Sequence, residues 1–134
     1  MVDTLTPKQR SFCMSRVKGK DTSLEKIVRT ELHRRGYRYK KNVSGLPGKP
    51  DIVFVKQKVV VFIDGDFWHG YRFPQWKNKL SPFWREKIGK TRERDKRNFA
   101  SLRRKGWKVI RIWGHQIKND LDECISIIEN ELNN

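Results

Sequence analysis

The sequence predicts a single α/β domain in which helices pack on a mixed β-sheet. Two short segments rich in Val, Ile and Phe adjoin each other in the middle of the chain, and a third follows a long charged segment. Segments with a helical spacing of apolar residues precede, separate and follow these three, and this order fits an α/β sandwich. The 134 residues suffice for one hydrophobic core, so we expect one domain over residues 1–134.

The first quarter of the chain contains two helical segments. Residues 1–20 are basic and carry Pro7 at a suitable first helical position, which predicts a short basic helix or arm. Thr22 and Glu25 form a capping-box pattern, and the apolar residues that follow have helical spacing. We expect this second helix to end at Gly36, since glycine readily adopts the left-handed conformation found at helix C-termini.

A strand hairpin is predicted next. Residues 37–41 are compatible with a short strand, and residues 44–50 form a loop by their Gly and Pro content. Residues 51–55 and 58–64 are rich in β-branched and aromatic side chains, and their short separation predicts an antiparallel hairpin. Residues 65–79 mix aromatic and polar side chains without a period, which predicts a surface loop.

The second half of the chain predicts a helix, a strand and a helix. Ser81 and Pro82 suit the start of a long charged helix that we expect to reach Lys105, with a kink near Gly89. Residues 107–113 alternate in polarity and predict a third core strand. A final amphipathic helix is indicated by the apolar residues Leu121, Ile125, Ile127, Ile128 and Leu132.

The composition bounds the classes of function. The 31 Lys and Arg residues exceed the 15 acidic ones, and the net charge of +16 favours nucleic acid as a partner, although a solvated surface or a protein that only coats phosphate would have the same charge. Cys13 and Cys124 form no CxxC pattern, so neither a disulfide framework nor a thiolate zinc site is predicted. No apolar stretch approaches the roughly 20 residues that span a membrane, and we expect a cytoplasmic protein.

Two acidic residues and a histidine indicate catalysis. Asp51 enters one strand of the predicted hairpin and Asp64 ends the other, so strand pairing brings both carboxylates to one end of the sheet. Two carboxylates suit Mg²⁺, which prefers oxygen ligands and promotes attack of water on a phosphodiester. His69 titrates near neutral pH and suits a general base. Alternatively, both aspartates are structural residues paired with surface cations.

Short motifs recur in a fixed order along most of the chain. In chain order they are Met14, Asp21-Thr22, Glu25-Lys26, residues 46–51, Val61-Phe62, Gly65, Phe67-Trp68-His69, Phe83-Trp84, residues 86–90, Glu93-Arg94-Asp95 and Gly106-Trp107. Together they resemble the very short patch repair endonucleases, a family of the PD-(D/E)xK type. The resemblance implies a restriction-endonuclease-like fold, a three-layer α/β sandwich with a central mixed β-sheet.

The resemblance also implies a reaction. Members of this family nick one strand of double-stranded DNA beside the thymine of a T:G mismatch, with magnesium as the cofactor. The metal ligands implied here are Asp51 and the main-chain carbonyl of Ile63, and Asp64 is a further candidate ligand. His69 matches the residue that activates water. We expect the enzyme to act on DNA as a monomer.

Further site residues follow from the same resemblance. Asp95 matches an aspartate that supports a histidine near the scissile phosphate, and Glu25 matches a residue of the first helix. Many members carry a histidine where this chain has Asp64, so we expect Asp95 to lack its usual partner. Despite this departure we still expect the protein to cleave DNA, but the preference for a T:G mismatch is left open.

Recognition of DNA is assigned to two groups of residues. Met14, Phe67 and Trp68 match the apolar wedge that enters the base stack beside the mismatch, although the two aromatic residues would equally suit a core position. Basic residues on one helical segment suit contacts with the phosphate backbone, although most such runs are solvated faces. The basic residues are Lys87, Lys90, Arg94 and Arg97.

One metal site of the family is not expected. Better-known members hold a structural zinc ion, but the corresponding positions here carry Asp66, Tyr71, Phe73 and, after the last strand, His115. His115 is the only imidazole in this set and no thiolate is present, so these positions cannot assemble a structural zinc site. We expect aromatic packing to hold the loop instead, through Tyr71, Phe73 and Trp76.

Two alternative functions remain open at the level of the sequence. One is a restriction-like or phage-type nuclease that cuts without dependence on a mismatch. The other is a DNA-binding protein that has lost catalysis, against which the joint presence of Asp51 and His69 argues.

Overall fold

The computed structural model of the protein describes residues 23–133. Residues 1–20, predicted as a basic helix or arm, lie outside this range, and so does Met14. The helices are α1 (Ser23–Arg34), α2 (Phe73–Trp76), α3 (Pro82–Arg104), α4 (Gly114–Asn119) and α5 (Leu121–Leu132), with a 3-10 helix at Lys77–Lys79. The strands are β1 (Lys40–Lys41), β2 (Ile52–Phe54), β3 (Val59–Asp64) and β4 (Lys108–Trp113).

The four strands form one mixed sheet in the order β1-β2-β3-β4. Strands β1, β2 and β3 are antiparallel neighbours, and β3 and β4 are parallel. The predicted hairpin is confirmed, with Ile52 opposite Val61. The parallel pair places Asp64 opposite Trp113, so the C-terminal ends of both strands meet at one edge of the sheet.

Helices cover both faces of the sheet. On one face, α1 and α5 pack against alternate strand residues such as Val61 and Ile112. On the other face, Phe99 and Leu102 of α3 pack against the intervening residues, among them Phe62. This alternation is the period of two expected for strands buried on both sides. The structure is therefore the restriction-endonuclease-like α/β sandwich that was expected, with a central mixed sheet between two helical layers.

The segment of residues 65–79 differs from its prediction as a surface loop. It contains α2 and the 3-10 helix, and its aromatic side chains pack with the start of α3. These side chains form a third hydrophobic cluster, separate from those on the two sheet faces. Its buried members are Phe73, Leu80, Trp84 and Ile88. Because the segment turns through two very short helices, its apolar residues follow neither a period of 2 nor one of 3.6, and the sequence pattern failed there.

Two further differences concern the second half of the chain. Helix α3 is continuous from Pro82 to Arg104, and the kink considered near Gly89 does not interrupt it. Helix α4 was not predicted and follows β4 without an intervening loop. Among the described residues, no helix has both the length and the apolar character that crossing a membrane requires.

Candidate active site

The hairpin brings Asp51 and Asp64 to the same end of the sheet. Asp51 immediately precedes β2, where its N–H donates to the Val61 carbonyl at 3.0 Å and its Oδ2 accepts from the Ile63 N–H at 2.7 Å. Asp64 is the last residue of β3, and both aspartates are buried. The two carboxylates proposed from the sequence are therefore neighbours.

Asp64 belongs to a closed set of polar contacts with three other residues. Nδ1 of His69 lies within hydrogen-bond distance of Asp95 Oδ2, at 2.7 Å, and its Nε2 lies 3.5 Å from Asp64 Oδ1. Arg111 donates from Nε to Asp64 Oδ2 at 2.8 Å and from a terminal nitrogen to Asp95 Oδ2 at 2.7 Å. We call these four residues the charged ring.

Although Asp64 stands where many family members carry the histidine partner of this aspartate, Asp95 has two other partners in the charged ring. Asp95 lies on the buried face of α3, between Ile88 and Phe99, and reaches both His69 and Arg111. The sequence contained a signal for this position, because Asp95 is the acidic member of an otherwise apolar helical stripe. A carboxylate on such a stripe must be paired to remain charged.

Arg111 was missed by the sequence analysis. It lies in β4 opposite Phe62 of β3, on the sheet face that α3 covers. Its guanidinium stacks over the Trp113 ring at 4.1 Å and over the Phe99 ring at 5.0 Å. A single arginine within an apolar strand was the available signal, but its partners depend on the pairing of β3 with β4.

The electrostatics of the site are those of buried acids that need cations. Burial is the largest influence on the pKa of Asp64 and raises it, and the negative charges of Asp95 and Asp51 raise it further. The two basic neighbours of Asp64 act in the opposite direction. Three carboxylates therefore lie within electrostatic reach of one another.

A metal ion fits this cluster by its donor set. One ligand atom each from Asp64, His69 and Asp95 lies within 4.8 Å of the others, so the group could hold a metal ion. The Asp51 carboxylate is close enough to Asp64 to raise its pKa. Carboxylate oxygens are the ligands that hard divalent cations prefer, and a cation would offset the repulsion between the acids.

The surroundings of His69 favour the protonated form of its imidazole. Burial alone would lower the pKa of His69, but the hydrogen bond to Asp95 and the charges of Asp64 and Asp95 outweigh burial and raise it. The imidazole of His69 is therefore more basic than a free imidazole, and its lone pair becomes available only above this raised pKa.

Gly70 determines how closely the loop with His69 approaches α3. Its φ is +72°, and a Cβ at this position would lie 2.7 Å from Cδ of Arg92 and 3.0 Å from Cγ2 of Ile88. Glycine is needed here because it has no Cβ and tolerates a positive φ. The close approach carries His69 to within hydrogen-bond distance of Asp95 on the next turn of the helix.

The two proposed wedge residues lie in the third cluster. Phe67 is stacked with Trp76 at 5.8 Å, and Trp68 makes an edge contact with Trp84 at 5.2 Å. Both are only partly buried, so part of each ring stays accessible beside the site. Trp84, which the sequence analysis named only as part of a family motif, is buried at the centre of this packing.

The positions where zinc ligands were considered form a different kind of contact. His115 Nδ1 lies 3.1 Å from both carboxylate oxygens of Asp66, and the Tyr71 ring packs on the His115 ring at 4.4 Å. The Trp76 ring N–H donates to the Tyr71 carbonyl at 2.8 Å. The expected aromatic packing is present, and an Asp66–His115 contact that was not predicted joins the loop to α4.

The remaining predicted residues occupy two helices. Lys87, Lys90, Arg94 and Arg97 are exposed on one side of α3, away from the buried stripe that contains Asp95. Glu25 is buried in α1, where its carboxylate lies 3.5 Å from Arg29 one turn later. Its membership of the catalytic site stays a prediction.

The fold and the site together define a class of protein. Buried carboxylates, a His–Asp pair and a cation-compatible cluster lie at the edge of a mixed sheet in a chain of net charge +16. This combination is that of an α/β-sandwich nuclease.

Comparison with known proteins identifies the family. The sequence model described as DNA mismatch endonuclease Vsr matches residues 2–75. The type II nicking enzyme V.XorIIP of Xanthomonas oryzae pv. oryzae is 42% identical over 84% of this chain and 85% of the relative. The type II nicking enzyme V.NmeAIP of Neisseria meningitidis serogroup A is 44% identical, over 89% and 86% respectively. The DNA mismatch endonuclease Vsr of Escherichia coli K12 is 35% identical, over 84% and 74%.

The chain therefore belongs to the DNA mismatch endonuclease Vsr family, and it is a DNA nicking endonuclease.

Replacing Gly70 tests whether the close approach of its loop to α3 positions His69. We expect Gly70→Ala to lower the nicking rate by about 10²-fold, the effect of a displacement of roughly 1 Å at a catalytic group. Gly65→Ala is the matched control, since no heavy atom lies within 4 Å of a Cβ there. Equal rates for the two variants in a single-turnover assay would contradict this role.

The contact between Asp66 and His115 has a measurable contribution to stability. We expect Asp66→Ala to lower the free energy of unfolding by about 1 kcal/mol, the upper end for a partly exposed pair. Asp122→Ala is the control, since the Asp122 side chain is 85% exposed. Urea unfolding of both variants measures the difference, and equal losses in the two variants would contradict a contribution of this contact.

The raised pKa of His69 depends in part on Asp64. Asp64→Asn removes a negative charge next to Nε2, which disfavours the protonated ring, so the pKa of His69 should fall. The imidazole resonances in a ¹⁵N NMR titration of the metal-free protein measure this change. Asp66→Asn, which lies against His115, should leave the His69 titration where it was, and an equal shift in both variants would argue against a specific effect of Asp64.

Proposed function

We propose that the protein is a magnesium-dependent endonuclease that nicks one strand of double-stranded DNA at or beside a T:G mismatch. The observation that carries this proposal is the pairing of His69 with Asp95 at 2.7 Å next to the buried Asp64 and Asp51. The family description, DNA mismatch endonuclease, supports action at a mismatch. We also propose that it acts as a monomer, since a single-strand nick needs only one active site.

His69 is the proposed general base. An ionised Asp95 can only accept hydrogen bonds, so Nδ1 of the neutral imidazole carries the proton and Nε2 carries the lone pair. Nε2 faces the Asp64 carboxylate at 3.5 Å. From this position it can accept a proton from a water molecule that attacks a phosphodiester, and Asp95 then stabilises the imidazolium that forms.

The proposed magnesium ligands are Asp51, Asp64 and the main-chain carbonyl of Ile63. The Ile63 N–H donates to Asp51 Oδ2, and the N–H and C=O of one strand residue point to the same side, which supports the carbonyl as a neighbour of Asp51. A bound Mg²⁺ would lower the pKa of a water ligand and stabilise charge on the leaving oxygen.

Phe67 and Trp68 are proposed to enter the base stack beside the mismatch, together with Met14. Unstacking costs a few kcal/mol and costs least at a mispair. The ring contacts of Phe67 with Trp76 and of Trp68 with Trp84 support the role, because a rigid aromatic side chain loses little entropy on insertion.

The exposed basic side of α3 is proposed to bind the DNA backbone. Its residues Lys87, Lys90, Arg94 and Arg97 can contact phosphates, which fix the register of a protein on a duplex without reading sequence. The same helix carries Asp95 on its opposite, buried side. Docking of α3 on the backbone would therefore fix the position of the His69–Asp95 pair relative to the scissile phosphate.

The test compares two end-labelled duplexes that differ only in one T:G mispair, with Mg²⁺ present. We expect a nick beside the thymine of the mismatched duplex, no nick in Asp51→Ala, and a rate about 10²–10⁴-fold lower in His69→Ala, the usual contribution of a general base. Equal cutting of the matched duplex would contradict the mismatch dependence and favour the restriction-like alternative. Nicking that persists in the presence of a chelator would contradict the proposed metal dependence.

A further inference from the structure

One charged side chain of the site, Arg111, makes contacts that the reaction proposed above does not require. Its Nε–H donates to Asp64 at 2.8 Å and a terminal N–H donates to Asp95 at 2.7 Å. The guanidinium thus bridges a carboxylate at the end of β3 and one on the buried side of α3. Both contacts use the Oδ2 atom of the aspartate.

Arg111 is held firmly in this position. Its guanidinium stacks over Trp113 at 4.1 Å and over Phe99 at 5.0 Å, and its side chain is 23% exposed. Arginine does not lose its proton in proteins, and its planar fork suits two acceptors at once. The bridge is therefore a permanent positive charge in a fixed place.

The atoms that Arg111 binds belong to the same cluster that could hold a metal ion. Asp64, His69 and Asp95 offer ligand atoms within 4.8 Å of one another, and two of these residues are bound by Arg111. A divalent ion between Asp64 and Asp95 would compete with the guanidinium for the same oxygens and would be repelled by its charge at short range. Asp51 lies at the same end of the sheet, where its Oδ2 accepts a hydrogen bond from the Ile63 N–H at 2.7 Å.

We propose that Arg111 is a positioning residue that acts as a fixed internal cation between Asp64 and Asp95, which keeps the divalent metal away from Asp95 and reserves that carboxylate for His69. The metal is then confined to the side of Asp51, where Oδ1 of Asp64 is the atom not bound by Arg111. This inference rests on the proposed metal dependence, and it assigns each of the three carboxylates a separate task.

Metal binding in the absence of DNA tests the inference directly. Mn²⁺ is a spectroscopic substitute for Mg²⁺, and its binding to the full-length protein can be followed by electron paramagnetic resonance. We expect Asp51→Ala to abolish tight binding. Asp95→Asn should leave the affinity for Mn²⁺ almost unchanged. A loss of about 10-fold or more in Asp95→Asn, the size seen when a metal site is disturbed, would show that Asp95 serves the metal and would overturn the inference.

Replacement of Arg111 provides the complementary test. Arg111→Met removes the charge and keeps an unbranched apolar chain, so Asp64 and Asp95 become available and a second Mn²⁺ should bind. This extra binding should disappear in the double variant Arg111→Met with Asp95→Asn. Arg111→Lys keeps the charge and should not gain the second ion. Unchanged Mn²⁺ stoichiometry in a folded Arg111→Met, verified by its near-ultraviolet circular dichroism, would overturn the inference, as would a gain that survives Asp95→Asn.

Kinetics separate positioning from a merely structural role. In Arg111→Met the turnover number should fall by about 10²-fold because Asp95 is no longer fixed in place and reserved for His69, while the KM for DNA stays unchanged. Arg111→Lys should recover part of this loss. An equal loss in both variants, or a change confined to KM, contradicts the role. Failure of the unaltered protein to nick mismatched DNA would instead count against the proposed function and leave the metal-binding result standing.

Discussion

The charged ring formed by Asp64, His69, Asp95 and Arg111 is the interaction on which the rest of the active site depends. Its two carboxylates are almost fully buried, and an unpaired charge in such a place is not stable. Removing one partner of a buried ion pair typically costs about 3–5 kcal/mol, since the other charge remains behind. The ring therefore tolerates loss of a member poorly, and it joins β3, α3 and β4 at one point.

Sheet pairing, more than local sequence, creates this ring. The sequence predicted the antiparallel hairpin and hence the proximity of Asp51 and Asp64, because strands that adjoin in the chain have few ways to pair. Arg111 reaches Asp64 only through the parallel pairing of β3 with β4, which are separated by all of α3. Alternation along β4 places Arg111 on the face opposite Ile112, but it does not predict which carboxylates Arg111 contacts on that face.

The same distinction explains where the fold was predictable. Helices α1, α3 and α5 have apolar stripes that can be counted along the chain, and the structure has these helices close to the expected bounds. Residues 65–79 were wrongly expected to be a surface loop because their order comes from rings that meet across several turns, such as Phe67 with Trp84. The contact between Asp66 and His115 was missed for a similar reason, since 49 residues separate its partners.

A charge argument connects the buried site with the surface around it. The chain carries a net charge of +16, yet one end of its sheet concentrates three carboxylates that would repel a phosphodiester. Exposed cations such as those on α3 can hold the DNA backbone, but they cannot neutralise carboxylates that lie beneath the surface, because screening by water weakens charges at a distance. The neutralising charges must lie inside the site. Arg111 supplies one such charge permanently, and a divalent cation held by these acids would supply the rest while His69 stays neutral.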